Sequence, residues 1–324
     1  MIDLRLSGTA LLEAAERARR WVKRSNGLFS GYILGKECGL NEPQTRNQVL
    51  DELVRLGEIQ CDGNRNNWYR RVSNELEPIQ WEDAKTEEYP IWLPFGLNEL
   101  GIVSPGNIIL VAGESNAGKT AFLLQVIKQN LKCNGGEHEE ISLFNSEMTA
   151  GELKKRLLGV GQQYEWEGLR PFYRRRDFHQ VIRPDGFNVI DYMQITDNFW
   201  QVGEYIERIH ETLGYGIAIV CLQKKKGELY GRGGEFAQEK PRLSVSLFHD
   251  GFVNTIKITK FKETRGFSNV DGLERDFTIQ RGGLMIPCTD WEYVDKKDRE
   301  RRTSVYRLKA ERERRAQGLG GTDE

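Results

Sequence analysis

Apolar residues cluster in short continuous runs separated by longer amphipathic ones. Asn107–Ala112 is the clearest of the short runs, five consecutive apolar residues after an asparagine. A run that short and unbroken reads as a strand buried on both faces. A helical recurrence follows over Ala121–Leu131. The alternation then continues through Ser142–Asn145, Ala150–Leu158, Phe187–Met193, Val202–Leu213 and Ile217–Leu222. Strand-like runs alternating with helical ones predict an α/β fold over residues 90–290, a mostly parallel sheet with helices on its faces. After Ser244 only short strand-like runs remain (Val253–Lys260, Asp276–Gln280, Gly283–Ile286), which predicts an antiparallel edge.

Residues 1–72 are patterned differently. A charged helical stretch, Leu11–Lys23, precedes a shorter one near Gly31–Glu37 and a third over Pro43–Leu56. Proline suits the first turn of that third helix, and Gly57 suits the left-handed residue that ends it. Two strand-like runs, Glu58–Cys61 and Trp68–Val72, flank a loop rich in Asp, Gly and Asn, so they read as a hairpin. Three helices and a hairpin are the plan of a winged helix-turn-helix, which docks its third helix in a duplex DNA groove. Gln44, Arg46 and Asn47 on that helix, with Arg65 and Arg70 on the wing, are the candidate contacts. Modules of this plan also bind proteins, and the residues leave both partners open. Residues 73–89 are acidic, carry Pro78 and read as a linker. Residues 291–324 form a charge-dense tail, basic over Lys296–Arg315, expected to be a solvated helix or disordered.

Charge and cysteine content narrow the setting. Over 324 residues the formal net charge is −1, so any nucleic-acid surface is local rather than global. The five cysteines are dispersed, without a CxxC pair, and read as reduced thiols of a cytoplasmic protein. The N-terminus lacks a signal-peptide layout. No apolar run approaches the roughly 20 residues a membrane span needs, so no membrane partner is expected.

The chemistry centres on Gly113-Glu114-Ser115-Asn116-Ala117-Gly118-Lys119-Thr120, between the first buried strand and the first amphipathic helix. Glycines at both ends let backbone N–H groups curl around phosphates, and the following helix adds its positive end. In such a P-loop Lys119 reaches the β- and γ-phosphates of ATP, and the Thr120 hydroxyl ligates Mg²⁺. Hydrolysis needs two further carboxylates. Phe187–Ile190 ends in Asp191, at a strand's C-terminal edge where it can organise Mg²⁺. Ser142–Asn145 runs into Ser146-Glu147 at the same edge, where Glu147 can activate water.

The order of these segments resembles the core of DnaB-type replicative helicases, within the RecA-like ATPases. Ser142 to Ala150, continuing through Glu152-Leu153 to Arg156-Leu157-Leu158, is similar to the stretch after that family's second strand. The resemblance makes Glu147 the catalytic base. Val189 to Gln194 resembles the Walker B strand. Ile219 to Gln223 resembles the third motif, which implies a γ-phosphate or DNA sensor at Gln223. Ile256 to Lys262 resembles a late strand whose basic pair enters a neighbouring subunit's ATP site. That implies a homo-oligomer, ring or filament, with Lys260, Lys262 and Arg265 acting in trans. The chain departs from the family in its N-terminal module, in a Lys-x-Lys where the family has Lys-x-Arg, and in its compact core. The core size is closer to small phage- or plasmid-type members.

In RecA-like assemblies two loops face the central channel, here near Thr196–Val202 and Lys224–Arg242. The second carries Lys224, Lys225, Lys226, Arg232, Lys240 and Arg242 among glycines, and is expected to be mobile and to track single-stranded DNA. Arg174-Arg175-Arg176 lies in an irregular stretch and reads as a solvated face, with contact to nucleic acid as the alternative. The leading expectation is therefore an ATP-hydrolysing motor or clamp on single-stranded DNA, in replication or repair. The alternatives are a regulatory or loader ATPase acting on duplex DNA or a protein, and a recombinase-like filament former.

Overall fold

The computed structural model describes residues 8–23, 25, 28–62, 67–72, 81–82, 86–193, 201–266 and 269–316. Contacts divide the chain into two compact units, Met1–Ala84 and Lys85–Glu324.

The smaller unit runs α1 (Gly8–Val22), β1 (Leu28–Ser30), α2 (Gly31–Glu37), α3 (Pro43–Arg55), β2 (Ile59–Cys61) and β3 (Trp68–Arg71). Its strands form a three-stranded antiparallel sheet in the order β1-β3-β2. Strand β1 is absent from the hydrophobic pattern because three residues are too few to show a period. Ser30 ends it and caps α2, its hydroxyl accepting from the Ile33 N–H at 3.2 Å. Proline opens α3, and Gly57 follows the helix with φ +70°. Ala14, Ala18, Leu34, Val49, Leu53 and Ile59 fill the core.

In the larger unit a short helix α4 (Leu97–Leu100) precedes β4 (Ile108–Gly113), α5 (Lys119–Asn130), β5 (Ile141–Asn145) and α6 (Ala150–Val160). Then come β6 (Leu169–Tyr173), β7 (Phe187–Asp191), α7 (Gln201–Thr212), β8 (Ile217–Gln223), β9 (Leu243–His249), β10 (Asn254–Phe261), β11 (Leu273–Gln280), β12 (Leu284–Pro287), β13 (Glu292–Tyr293) and α8 (Lys296–Ala316). Ten strands make one sheet, ordered β12-β11-β10-β9-β4-β8-β7-β5-β6, with β13 also on β11. The six strands from β9 to β6 pair parallel, and β10 to β13 add antiparallel. This is the expected α/β architecture with its antiparallel edge. Every residue of β4 is buried because alternate side chains meet different layers: Ile109 and Val111 join the cluster containing α5, Ile108 and Leu110 that containing α7.

Two segments differ from expectation. Strand β6 occupies a stretch that reads as irregular, since Arg170 and Pro171 interrupt any apolar pattern. It is tolerated because β6 lies at the sheet's edge, where proline forfeits no central ladder bond. The basic tail is helical and docked rather than merely solvated. Arg299 donates to Asp276 at 2.6 Å and to Glu274, and Arg302 to Glu292 at 2.5 Å. Asp276 is 0% exposed, so its charge requires such partners. Among the described residues, no helix is long and apolar enough to cross a membrane.

Candidate functional site

Parallel strands aim their C-terminal ends at one edge of the sheet, and register decides which residues meet there. Gly113 at the end of β4 pairs with Gln223 on β8, and Asn145 on β5 pairs with Asp191 on β7. The loop after β4 then turns sharply. Asn116 has φ +60° and Gly118 φ +96°, and α5 begins at Lys119. A Cβ on Gly113 would lie 2.6 Å from Lys119 Cγ, and one on Gly118 2.8 Å from Ile279 Cδ1. Both glycines are needed for close approach, the second for its backbone angle as well.

A cavity of about 340 Å³ opens at this edge, within the roughly 300–1,000 Å³ range of ligand pockets. Lys119, Thr120, Glu147, Asp191 and Gln223 all line it. Lys119 Nζ donates to the carbonyls of Gly113 (3.1 Å) and Glu114 (2.8 Å). Burial pulls the Lys119 amine below the ordinary lysine value, and Asp191, Glu147 and Glu114 partly restore it. Burial likewise raises the Asp191 carboxyl, opposed by a hydrogen bond with the Thr120 side chain and by the Lys119 charge. The Asp191–Tyr192 peptide is cis. Glu147, by contrast, is exposed, and its backbone is braced by Asn145, whose Oδ1 accepts from the N–H of Glu147 (3.2 Å) and of Met148 (2.9 Å).

Glu114 faces away from this cavity. Its carboxylate is 6% exposed and accepts from the N–H of Gly227 at 2.8 Å and of His249 at 3.2 Å. The loop after β4 is thereby tied to the chain leaving β8 and to the end of β9. Arg156, on α6, lines the cavity without having been singled out as a site residue, and its charge lowers the Asp191 carboxyl. Its only signal in the sequence is its spacing, nine residues beyond Glu147 and one helical turn after Glu152.

The remaining basic candidates do not form one surface. Lys224 is 3% exposed, with Nζ donating to Ser246 Oγ (2.8 Å) and the Glu228 carbonyl (2.9 Å), and sitting 3.0 Å from the Phe248 ring centroid. Burial lowers its pKa to about 7. It is a core lysine, not a loop cation, because its backbone N–H still bonds the Gly113 carbonyl and continues the β8 geometry. Lys225 and Lys226 are exposed at the C-terminal edge. The chain from there to β9 crosses to the opposite edge through a 3-10 turn, Gly234–Gln238, with Ala237 fully buried, so the expected loop does not stay at one edge. Arg232 and Arg242 on it are exposed, and Lys240 pairs with Glu207 at 2.9 Å. Lys240 and Arg242, just before β9, therefore lie at the opposite edge from Lys225.

Strand β10 runs antiparallel, so Lys260 and Lys262 also end at that opposite edge. Lys260 Nζ donates to the Gln238 and Glu239 carbonyls, Arg265 pairs with Glu88, and Lys262 is exposed. None of the three reaches the cavity of its own chain.

In the smaller unit Arg46 is half-buried against α2. A Cβ on Gly35 would lie 2.5 Å from Arg46 Cδ, so this arginine is packed rather than freely presented. Gln44, Asn47 and Arg70 are exposed. Arg65 lies outside the described residues, as do residues 196–200 of the first expected channel loop and much of the expected linker.

No protein-family model matches the chain. No curated protein matches it. Among solved structures, a KaiC-like protein from the hyperthermophilic archaeon Pyrococcus horikoshii is similar, with a TM-score of 0.46 and 19% identity, covering 63% of this chain and 99% of that one.

Proposed function

We propose that the larger unit binds and hydrolyses ATP as a RecA-like ATPase, and does so in an oligomer that acts on single-stranded DNA. The observation that carries the ATPase reading is the convergence of Lys119, Thr120, Asp191, Glu147 and Gln223, from four different strand ends, on one cavity. The phosphate loop cradles the triphosphate with its N–H groups, and Lys119 neutralises the β- and γ-oxygens. Thr120 and Asp191 would hold Mg²⁺. That suits an ion bound through one or two carboxylates plus substrate phosphates, and among the described residues no larger metal-ligand cluster is present. The ion supplies charge neutralisation at the phosphates when bound. Glu147, exposed at the mouth, orients and deprotonates the attacking water, while Gln223 reads the γ-phosphate. Arg156 adds a cation from the same chain. The DNA part of the reading is supported by Lys225 and Lys226, exposed just beyond Gln223 at the same sheet edge. The smaller unit, with three helices and a three-stranded sheet, is read as a winged helix that selects duplex DNA or a protein partner.

Steady-state phosphate release in Mg²⁺ and ATP tests the centre of this reading. Wild-type protein should turn ATP over. Lys119→Ala should lose most turnover and bind a fluorescent ATP analogue more weakly. Unchanged hydrolysis in that variant would remove the P-loop assignment.

A further inference from the structure

We infer that a second cavity, at the end of β6, binds single-stranded nucleic acid and passes its occupancy to Glu147 through Asn145. The cavity is about 320 Å³ and is lined by Asn145, Ser146, Tyr173, the three arginines 174–176, and Asp177. Arg174 is half-buried and fixed: one guanidinium nitrogen donates to the Asp177 carbonyl at 2.9 Å and to Gln180 Oε1 at 3.1 Å. Its Nε is buried without a hydrogen-bond partner. Arg175 and Arg176 are exposed and form no ion pair among the described residues. Several other surface arginines are neutralised, as Arg170 and Arg183 are by Glu140 and Arg208 is by Glu204. Here three arginines and one acidic residue, Asp177, line a single cavity, in a chain whose charges otherwise nearly cancel.

Tyr173 decides the class of ligand. It is 70% exposed, lines the same cavity, and directly precedes the arginines on the edge strand. An open aromatic face beside guanidiniums suits an unstacked base with its phosphate. A duplex hides its base faces, and a run of aspartates and glutamates carries no aromatic face to stack on the ring. The coupling follows from register. Asn145 pairs with Tyr173 on one side and Asp191 on the other, and its carbonyl accepts the Arg174 N–H at 3.0 Å. The same side chain braces the backbone of Glu147 and Met148, donating to the Met148 carbonyl at 2.5 Å. It forms a wall of one cavity and braces the backbone that carries a carboxylate of the other. Only this coupling step rests on the ATPase reading.

Fluorescein-labelled oligo-dT, titrated with the full chain and a non-hydrolysable ATP analogue, tests the site by anisotropy. The double variant Arg175→Ala, Arg176→Ala should bind at least about tenfold more weakly, and Tyr173→Ala likewise. The log–log slope against salt should fall by about 1.4, at about 0.7 per lost single-strand phosphate contact. Arg175→Lys with Arg176→Lys should retain most of that slope. Binding of a labelled ATP analogue should be unchanged in all of them. Oligo-dT binding that is intact in the alanine variants overturns the site. Weaker nucleotide binding with intact oligo-dT binding assigns the arginines to a neighbour's triphosphate and also overturns it. Equal competition by duplex, or displacement by polyglutamate alone, overturns the choice of ligand. Oligo-dT should also raise wild-type turnover but not that of the double alanine variant. A wild type that binds oligo-dT without any turnover overturns the coupling and the ATPase reading, while the binding site stands.

Discussion

Glu147 and Asp191 are both carboxylates at one sheet edge, yet their surroundings separate their tasks. Asp191 is 5% exposed and hydrogen-bonded with Thr120, whereas Glu147 is open to solvent. Glu147→Gln should therefore keep nucleotide affinity and lose turnover by about 10²–10⁴-fold, the usual cost of removing a positioned base. Hydrolysis within about twofold of wild type, beside normal nucleotide binding, would move the base to another group. Lys224 offers a test of a different kind. Its pKa is about 7 folded, against about 10.4 unfolded, so the folded chain binds fewer protons between those values. Stability from this group should rise as pH climbs from about 7 to 10 and be lowest below pH 7, where the buried amine is charged. Lys224→Met keeps the stem and removes the charge; Ser246 Oγ still donates to the Leu229 carbonyl at 2.6 Å. Urea midpoints across that range should rise less with pH in Lys224→Met than in wild type, and the variant should be the more stable at pH 6. Parallel pH profiles would show that Lys224 titrates normally.

Strand β4 was legible because burial on both faces leaves an unbroken apolar run. The loop after it was legible by its Gly and Lys-Thr spacing, and the two carboxylate-ending strands by short runs that a single polar residue, Ser142 or Asn188, interrupts. What hid the rest was local composition contradicted by tertiary context. Pro171 masks edge strand β6. Three consecutive lysines read as one loop tracking single-stranded DNA, though the first of them directly follows β8 and turns inward. Helix α8 is so charged that its pattern shows no face, since the face it docks is ionic. Arg299 and Arg302 meet Asp276 and Glu274 on β11, whose Phe277 and Ile279 lie against Gly118. The tail thus braces the strand that backs the phosphate loop. Arg299→Ala leaves Asp276 buried with weaker partners and should cost about 3 kcal/mol, the scale for breaking a buried pair. Arg307→Ala, an exposed residue whose partner Glu311 is half-exposed, should stay within about 0.5 kcal/mol. Equilibrium urea unfolding of the two variants measures the contrast. Equal small losses would mean that α8 rides on the sheet without supporting it.

At the scale of the whole molecule, the sheet separates two sets of charge. The cavity lined by Lys119 and Asp191 lies at the C-terminal ends of the parallel strands, and Lys260, Lys262 and Arg265 lie at the other end. Six residues of β4 span about 20 Å, beyond the reach of any lysine side chain. These cations can therefore reach only the corresponding cavity of another subunit. They are not equally free to do so. Lys260 is engaged with the Gln238 and Glu239 carbonyls, and Arg265 with Glu88, while Lys262 is exposed. Replacing all three would disturb contacts inside the chain, so Lys262→Ala is the cleaner partner for Glu147→Gln in a mixing experiment. A trans cation of this kind supplies about 10³–10⁵ in rate in related phosphoryl-transfer enzymes, so each variant alone should be nearly inactive. In a head-to-tail assembly mixed in equal parts, a working interface needs Glu147 from one subunit and Lys262 from the next. About a quarter of interfaces meet that condition at random, and turnover should recover towards that fraction. Energy transfer between labelled subunits establishes that they exchange. If exchange is complete and no mixing ratio restores hydrolysis, Lys262 does not act across the interface. A Lys262→Ala protein with full activity on its own would lead to the same conclusion more directly.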